Sequence, residues 1–153
     1  MKPTTKQRGL ALVELAISMF VMIGITFGIT EFGRALYQYN TLAKAARNAA
    51  RFLSTRNGID LVSKNQAKCV AVYGTPACAG TPLAPGLTTA MVTICDAVDC
   101  PADHAAQGSN PVINLVSVTI GGANAPYTFR SLVSFVVPDI PFGAIRVTMR
   151  QPL

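Results

Sequence analysis

Hydrophobic residues follow three different spacings along the chain, one after another. Leu10 to Thr30 is an almost unbroken apolar run of 21 residues in which Glu14 is the only ionisable side chain. At 1.5 Å per residue, a helix of that length covers about 31 Å, the thickness of a bilayer's hydrocarbon core. The pattern then turns amphipathic. Phe32, Ala35, Leu36, Tyr39, Leu42, Ala43, Ala46, Ala50 and Leu53 recur every three or four residues. Arg34, Gln38, Thr41, Asn48, Arg51 and Thr55 take the other side, and Asn57-Gly58 supplies a stop. One helix of about 47 residues, near 70 Å, is predicted.

A second, short helix is predicted over 59–73, with Ile59, Val62, Cys69, Val70 and Tyr73 on one face and Gly74 at its end. After the Gly- and Pro-rich stretch GTPACAGTPLAPGLT come four strand-like segments: AMVTIC, VINLVSVTI, YTFRSLVSFVV and AIRVTMR. In the third, Tyr127, Phe129, Val133, Phe135 and Val137 alternate with Thr128, Arg130, Ser134 and Val136. In the last, Ile145, Val147 and Met149 alternate with Arg146, Thr148 and Arg150. The expected class is α+β: a long N-terminal helix, transmembrane and then amphipathic, packed on a small, mostly antiparallel β-sheet. No internal repeat is visible.

Composition fits a membrane-anchored protein, since half of the residues are hydrophobic and only 13% are charged. The formal charge is +6, but Lys2, Lys6 and Arg8 precede the apolar run, and without them 10 basic residues face 7 acidic ones. A polyanionic partner is therefore not implied by charge. The N-terminal basic cluster favours a cytoplasmic N-terminus and an exported C-terminal part, and Arg34, Lys44 and Arg47 beyond the run pull the other way. A cleaved secretory signal is a poor fit, because the apolar run exceeds the usual ~7–15 residues and passes straight into the amphipathic pattern without an A-x-A-like site.

Glu14 needs a reason. A charged carboxylate at the centre of a spanning helix costs on the order of 2.5–3.5 kcal/mol, and less near the interface. Simple snorkelling is one explanation. The other rests on Gly9, which directly follows the basic leader: cutting between Gly9 and Leu10 would free an α-amino group and make Glu14 the fifth residue of the new chain. That arrangement resembles the processing site of type IV prepilins. In a stack of parallel helices, one subunit's buried carboxylate can pair with its neighbour's N-terminal amine, offsetting desolvation and fixing axial register. Gly24 and Gly28 in GITFG form a G-x-x-x-G spacing that permits close helix approach, or local unwinding of the helix.

All four cysteines, Cys69, Cys78, Cys95 and Cys100, lie beyond the apolar run, as expected of an oxidising compartment. Three pairings are open; local closure, Cys69 with Cys78 and Cys95 with Cys100, is preferred because each pair brackets a loop. Eight, sixteen and four intervening residues lack the paired C-x-x-C knuckles of most four-cysteine zinc sites, so no metal is expected. His104, the sole histidine, reads as a solvated loop residue, with Asp96, Asp99 and Asp103 nearby as at most a weak cation site. With no phosphate loop, nucleophile elbow or zinc-binding His pair, neither enzyme activity, cofactor nor small-molecule substrate is expected. Arg130, Arg146 and Arg150 are the only basic residues after Lys68, and no aromatic platform stands among clustered charges, which argues against nucleic acid.

Taken together, GLALVELAISMF, the apolar run, EFGRALYQYNTLAKAARNAARF and the strand-rich remainder resemble the TadE-like minor pilins, or pseudopilins, of tight-adherence (Flp, type IVc) pilus systems. Residues 9–52 carry most of the likeness. Relatives often have Phe after the Glu and Pro within the apolar run; here Leu15 follows Glu14, and Pro76 is the first proline after Gly9.

The resemblance implies a pilin-like organisation: a leader at 1–9, a transmembrane helix at 10–30, an exported amphipathic continuation at 31–57 and an exported α/β domain at 58–153. It implies single-pass insertion in the inner membrane, a cytoplasmic N-terminus, a periplasmic domain, and retention there or entry into an extracellular fibre. The partners implied are the prepilin peptidase, other major and minor pilins, the inner-membrane assembly platform and the lipid bilayer. The role implied is pilus initiation or assembly, and so adhesion and biofilm formation. Two other readings stand beside it: a pilus-tip adhesin or ligand-binding domain, with DNA as one ligand, and an uncleaved signal-anchored protein with no pilus role.

Overall fold

The computed structural model describes residues 6–56, 60–105, 107 and 113–151. Helix α1 runs without a break over Lys6–Ser54, 49 residues or about 74 Å. No proline interrupts it, and in its apolar part the hydroxyls of Ser18, Thr26 and Thr30 donate to carbonyls four residues earlier at 2.8 Å, so they bring no unpaired polar group into that stretch. The stop expected at Asn57-Gly58 lies outside the described residues.

Helix α2 (Leu61–Tyr73) begins where Asp60 accepts from the Val62 N–H at 3.1 Å, and it ends at Gly74, whose φ of +76° suits a residue without Cβ. A single 3₁₀ turn, Thr89–Met91, leads into β1 (Val92–Cys95), so the first predicted strand begins two residues later than AMVTIC suggests. The short helix α3 (Pro101–His104), β2 (Asn114–Ile120), β3 (Thr128–Phe129), β4 (Ile140–Pro141) and β5 (Ile145–Gln151) complete the chain. β1, β2 and β5 form an antiparallel sheet with β2 in the centre, and β3 with β4 makes a separate two-residue ribbon. The class is α+β.

Register explains the core. Val118 faces Ile94 on one side and Val147 on the other, and Ile120 faces Val92 and Ile145, so every strand turns its apolar set to the same face. That face packs on α1, where Leu42, Ala45, Ala46, Ala49, Ala50 and Leu53 are fully buried. The alanines let the sheet approach the helix backbone closely. Gly121 ends β2 with φ +73°, and a Cβ there would meet the Tyr127 nitrogen at 3.2 Å.

Three expectations are corrected. First, the buried face of α1 is rotated at its near end: Glu31, Ala35 and Gln38 meet the domain, while Phe32, Leu36 and Tyr39 are exposed. Polar partners drive this, since Leu132 and Tyr127 offer hydrogen bonds to Glu31 and Gln38. Second, α2 buries Ser63, Lys64, Ala67 and Cys69 to Val72 and leaves Val62 exposed; Ile59 lies outside the described residues.

Third, YTFRSLVSFVV is not one strand. Only Thr128 and Phe129 pair, with Pro141 and Ile140. β2 already has both neighbours, and local bonds from Ser131 and Asp139 draw the following backbone into turns.

Candidate functional site

The residues singled out for processing and assembly all lie on the exposed half of α1. Gly9 and Leu10 are inside the helix and open to the surroundings, with Leu10 74% exposed. Glu14 is exposed, and among the described residues no cation lies within ion-pair distance of it. Its backbone carbonyl accepts from Ser18 Oγ at 2.8 Å. A Cβ at Gly24 or Gly28 would meet nothing within 4 Å, so the smallness of these residues serves no packing inside this chain. From Leu10 to Thr30 no residue is buried, and α1 is long and apolar enough to cross a membrane.

Contact with the domain begins at Glu31. Its two carboxylate oxygens accept from Arg34 Nη1 at 2.7 and 2.9 Å, and Oε2 also accepts from the Leu132 N–H at 3.3 Å. One turn on, the Tyr127 hydroxyl lies 3.0 Å from Gln38 Oε1 and donates to the Pro85 carbonyl at 2.9 Å. Burial pushes the Tyr127 phenol pKa up. Phe142 packs among Tyr39, Tyr127 and Phe129, with ring centroids 5.7, 5.7 and 6.4 Å away, and the Arg34 guanidinium sits 5.4 Å above Phe129. A cleft of about 510 Å³ opens here, lined by Arg34, Gln38, Tyr127, Arg130 and Leu132 among others.

The far end of the domain is tied differently. Lys64 Nζ stands 2.7 Å from Asp96 Oδ2 and 2.7 Å from Asp99 Oδ2. Asp96 Oδ1 accepts from the N–H groups of Val98 and Asp99 at 2.9 and 2.8 Å; Oδ2 has no aligned donor, so its charge is met by the ammonium as an ion pair. Burial alone would raise the Asp96 pKa, but Lys64 and the two backbone donors outweigh it and hold the carboxyl below its ordinary value. The same pairing lifts Lys64 above its ordinary value against its own desolvation.

The disulfides Cys69–Cys78 and Cys95–Cys100 close the two loops locally, and the second encloses the Asp96 turn. Asp96 and Asp99 therefore face Lys64 instead of converging on His104, and Asp103 is exposed. Among the described residues no group of three His, Cys, Asp or Glu side chains forms a metal site.

His104 is a further correction. It is buried: α3 folds it against the outer face of β2, where Nε2 lies 2.8 Å from Ser117 Oγ and 3.3 Å from Arg146 Nη2. Arg146 can only donate, so Nε2 accepts and the ring proton belongs on Nδ1, which has no partner among the described residues. With Ser117 and His104 both 1% exposed, the pair closes the outer face of the sheet and offers no nucleophile to a substrate.

Residues 9–51 match the family model described as TadE-like protein. This is the segment, to within a residue, that carries the resemblance in the sequence. It covers the apolar run and most of the domain-facing part of α1, and stops short of α2 and the sheet. No curated protein and no solved structure matches the chain.

Sequence reasoning missed the partners of α1 at its near end. Glu31 and Arg34 stand three apart in EFGR, a spacing that signals a helical ion pair. Nothing in the sequence indicated that Leu132 or Tyr127 would meet them.

Proposed function

We propose that this chain is a minor pilin, or pseudopilin, of a tight-adherence pilus, processed after Gly9 and acting in pilus initiation or assembly, and through the fibre in adhesion and biofilm formation. The observation that carries this reading is the TadE-like match beginning at Gly9 itself and running along a helix in which none of residues 10–30 is buried. On this reading the helix is anchored in the inner membrane, and the disulfide-bonded domain is periplasmic. The prepilin peptidase, the other pilins and the assembly platform are its partners. The chemistry is that of association, and no enzymatic role is proposed.

Glu14 is then the register device: its carboxylate pairs with the N-terminal amine of a neighbouring subunit. The test is Glu14→Gln in the native host, scored for membrane level, processing, crosslinks to pilus components and surface fibres. Insertion should be undiminished, because a charge has been removed from lipid. The domain should be unaffected, because Glu14 lies about 26 Å of helix before Glu31, the first residue to touch it. Crosslinks and fibres should be lost. Wild-type fibre abundance would reduce Glu14 to a snorkelling carboxylate.

A further inference from the structure

The sheet lies lengthwise along α1, with Gln151 Nε2 donating to the Arg56 carbonyl at 3.0 Å at one end and the Leu132 N–H donating to Glu31 at the other. Loop 131–137 is therefore the part of the domain held against the end of the apolar run, one residue beyond Thr30. The loop is internally bonded. Val133 N–H donates to Ser131 Oγ at 3.1 Å, Ser131 N–H to Asp139 Oδ1 at 2.9 Å, and the N–H groups of Val136 and Val137 to the Val133 carbonyl at 2.9 and 3.0 Å.

Two of its apolar side chains, Leu132 and Phe135, point outward. Phe135, 88% exposed, and Leu132, 77% exposed, are the most exposed large hydrophobic residues of the described domain. Arg130 beside them has no ion pair among the described residues, and with Arg34 it lines the adjacent cleft.

Apolar tips flanked by guanidinium groups, with the backbone satisfied locally, match the boundary of a bilayer, where hydrocarbon and anionic headgroups meet within a few ångströms. We propose that loop 131–137 is a second membrane contact: Leu132 and Phe135 enter the same bilayer that α1 crosses, and Arg130 faces the phosphates of anionic lipids. The inference rests on α1 spanning that bilayer. Its occupant is set by continuity, since the Glu31–Leu132 hydrogen bond fixes the loop at the level where the apolar run ends. Such a contact would hold the domain down on the membrane until the helix is drawn out.

The chain contains no tryptophan, so single replacements report depth without background. Phe135→Trp, Phe20→Trp and Val98→Trp would be made in the full chain and reconstituted in phosphatidylcholine vesicles with and without phosphatidylglycerol, using brominated acyl chains as quenchers. All three positions are exposed, and Val98 lies at the end of the sheet nearer Arg56. Tryptophans at 20 and 135 should lose most of their emission, and that at 98 should be unaffected. Arg130→Gln in the Phe135→Trp background should bring quenching in phosphatidylglycerol vesicles down to the level in phosphatidylcholine.

Quenching at 20 without quenching at 135 overturns the loop contact and leaves the spanning helix intact. No quenching at 20 overturns both. An Arg130→Gln protein that behaves as its parent in both lipids removes the anionic-lipid assignment. Blue-shifted emission at 135 that bromine does not quench, and that grows with protein-to-lipid ratio, assigns the loop to a second copy and overturns the proposal.

Discussion

Lys64 holds Asp96 at 2.7 Å, and through this contact α2 is fastened to the exit of β1. Asp96 is 1% exposed and Lys64 8%, so neither charge has water as an adequate substitute. Removing one member of such a pair leaves the other buried and uncompensated, a loss of about 3–5 kcal/mol. Lys64→Ala should accordingly lower the unfolding temperature of the domain sharply, as followed by near-ultraviolet circular dichroism of the full chain in detergent. Lys64→Ala with Asp96→Ala should be less harmful than Lys64→Ala alone, because the buried charge is removed and the remaining partner, Asp99, is half exposed to water.

The same pair predicts a pH dependence with a definite sign. The Asp96 pKa is depressed in the folded state, so its contribution is complete above its ordinary value near 3.8 and is lost as pH falls through the lower folded value. The Lys64 pKa is raised, so its contribution is complete below its ordinary value near 10.5 and is lost as pH rises through the higher folded value. The pair should thus give a stability plateau between those limits and a decline beyond each. In Lys64→Met the alkaline decline due to this lysine should disappear. An alkaline limb identical to that of the unaltered chain would show that Lys64 is not the group responsible.

Each disulfide closes a short loop, with cysteines separated by nine and five positions. Loop-closure entropy for such lengths corresponds to about 2–3 kcal/mol per bond. Replacing Cys69 and Cys78 by Ala, or Cys95 and Cys100 by Ala, should lower domain stability by roughly that amount. The second pair should also weaken the Lys64 contact, because its loop carries Asp96 and Asp99. Equal losses from Lys64→Ala in the presence and absence of the Cys95–Cys100 bond would contradict this coupling.

What the sequence revealed and what it hid divide along physical lines. The long helix, β2 and β5 are legible because their side chains repeat with the period of their own element and need no distant partner to be recognised; α2 is legible in its extent and its Gly74 stop, but not in its buried face. The turn at 131–137 is not, since Val133, Phe135 and Val137 alternate like a strand, while local hydrogen bonds to Ser131 Oγ, Asp139 Oδ1 and the Val133 carbonyl turn the backbone instead. The near end of α1 misled for a related reason: the apolar Phe32, Leu36 and Tyr39 are left outside because Glu31 and Gln38 find hydrogen-bond partners about 100 and 90 positions away in sequence. The polar neighbours of His104 in the sequence suggest solvent, whereas Ser117 and Arg146 meet it from the sheet. At the candidate site, Gly9 and Glu14 were legible as a spacing, and the Glu31, Arg34 and Leu132 cluster was not.

Processing after Gly9, as proposed above, would make Glu14 the fifth residue of the working chain. The most direct measurement is the intact mass and N-terminal sequence of the protein purified from membranes of its native host. The expected result is a chain beginning at Leu10, with or without a methyl group on the new amine. A population beginning at Met1, in cells whose other pilins are processed, would contradict it.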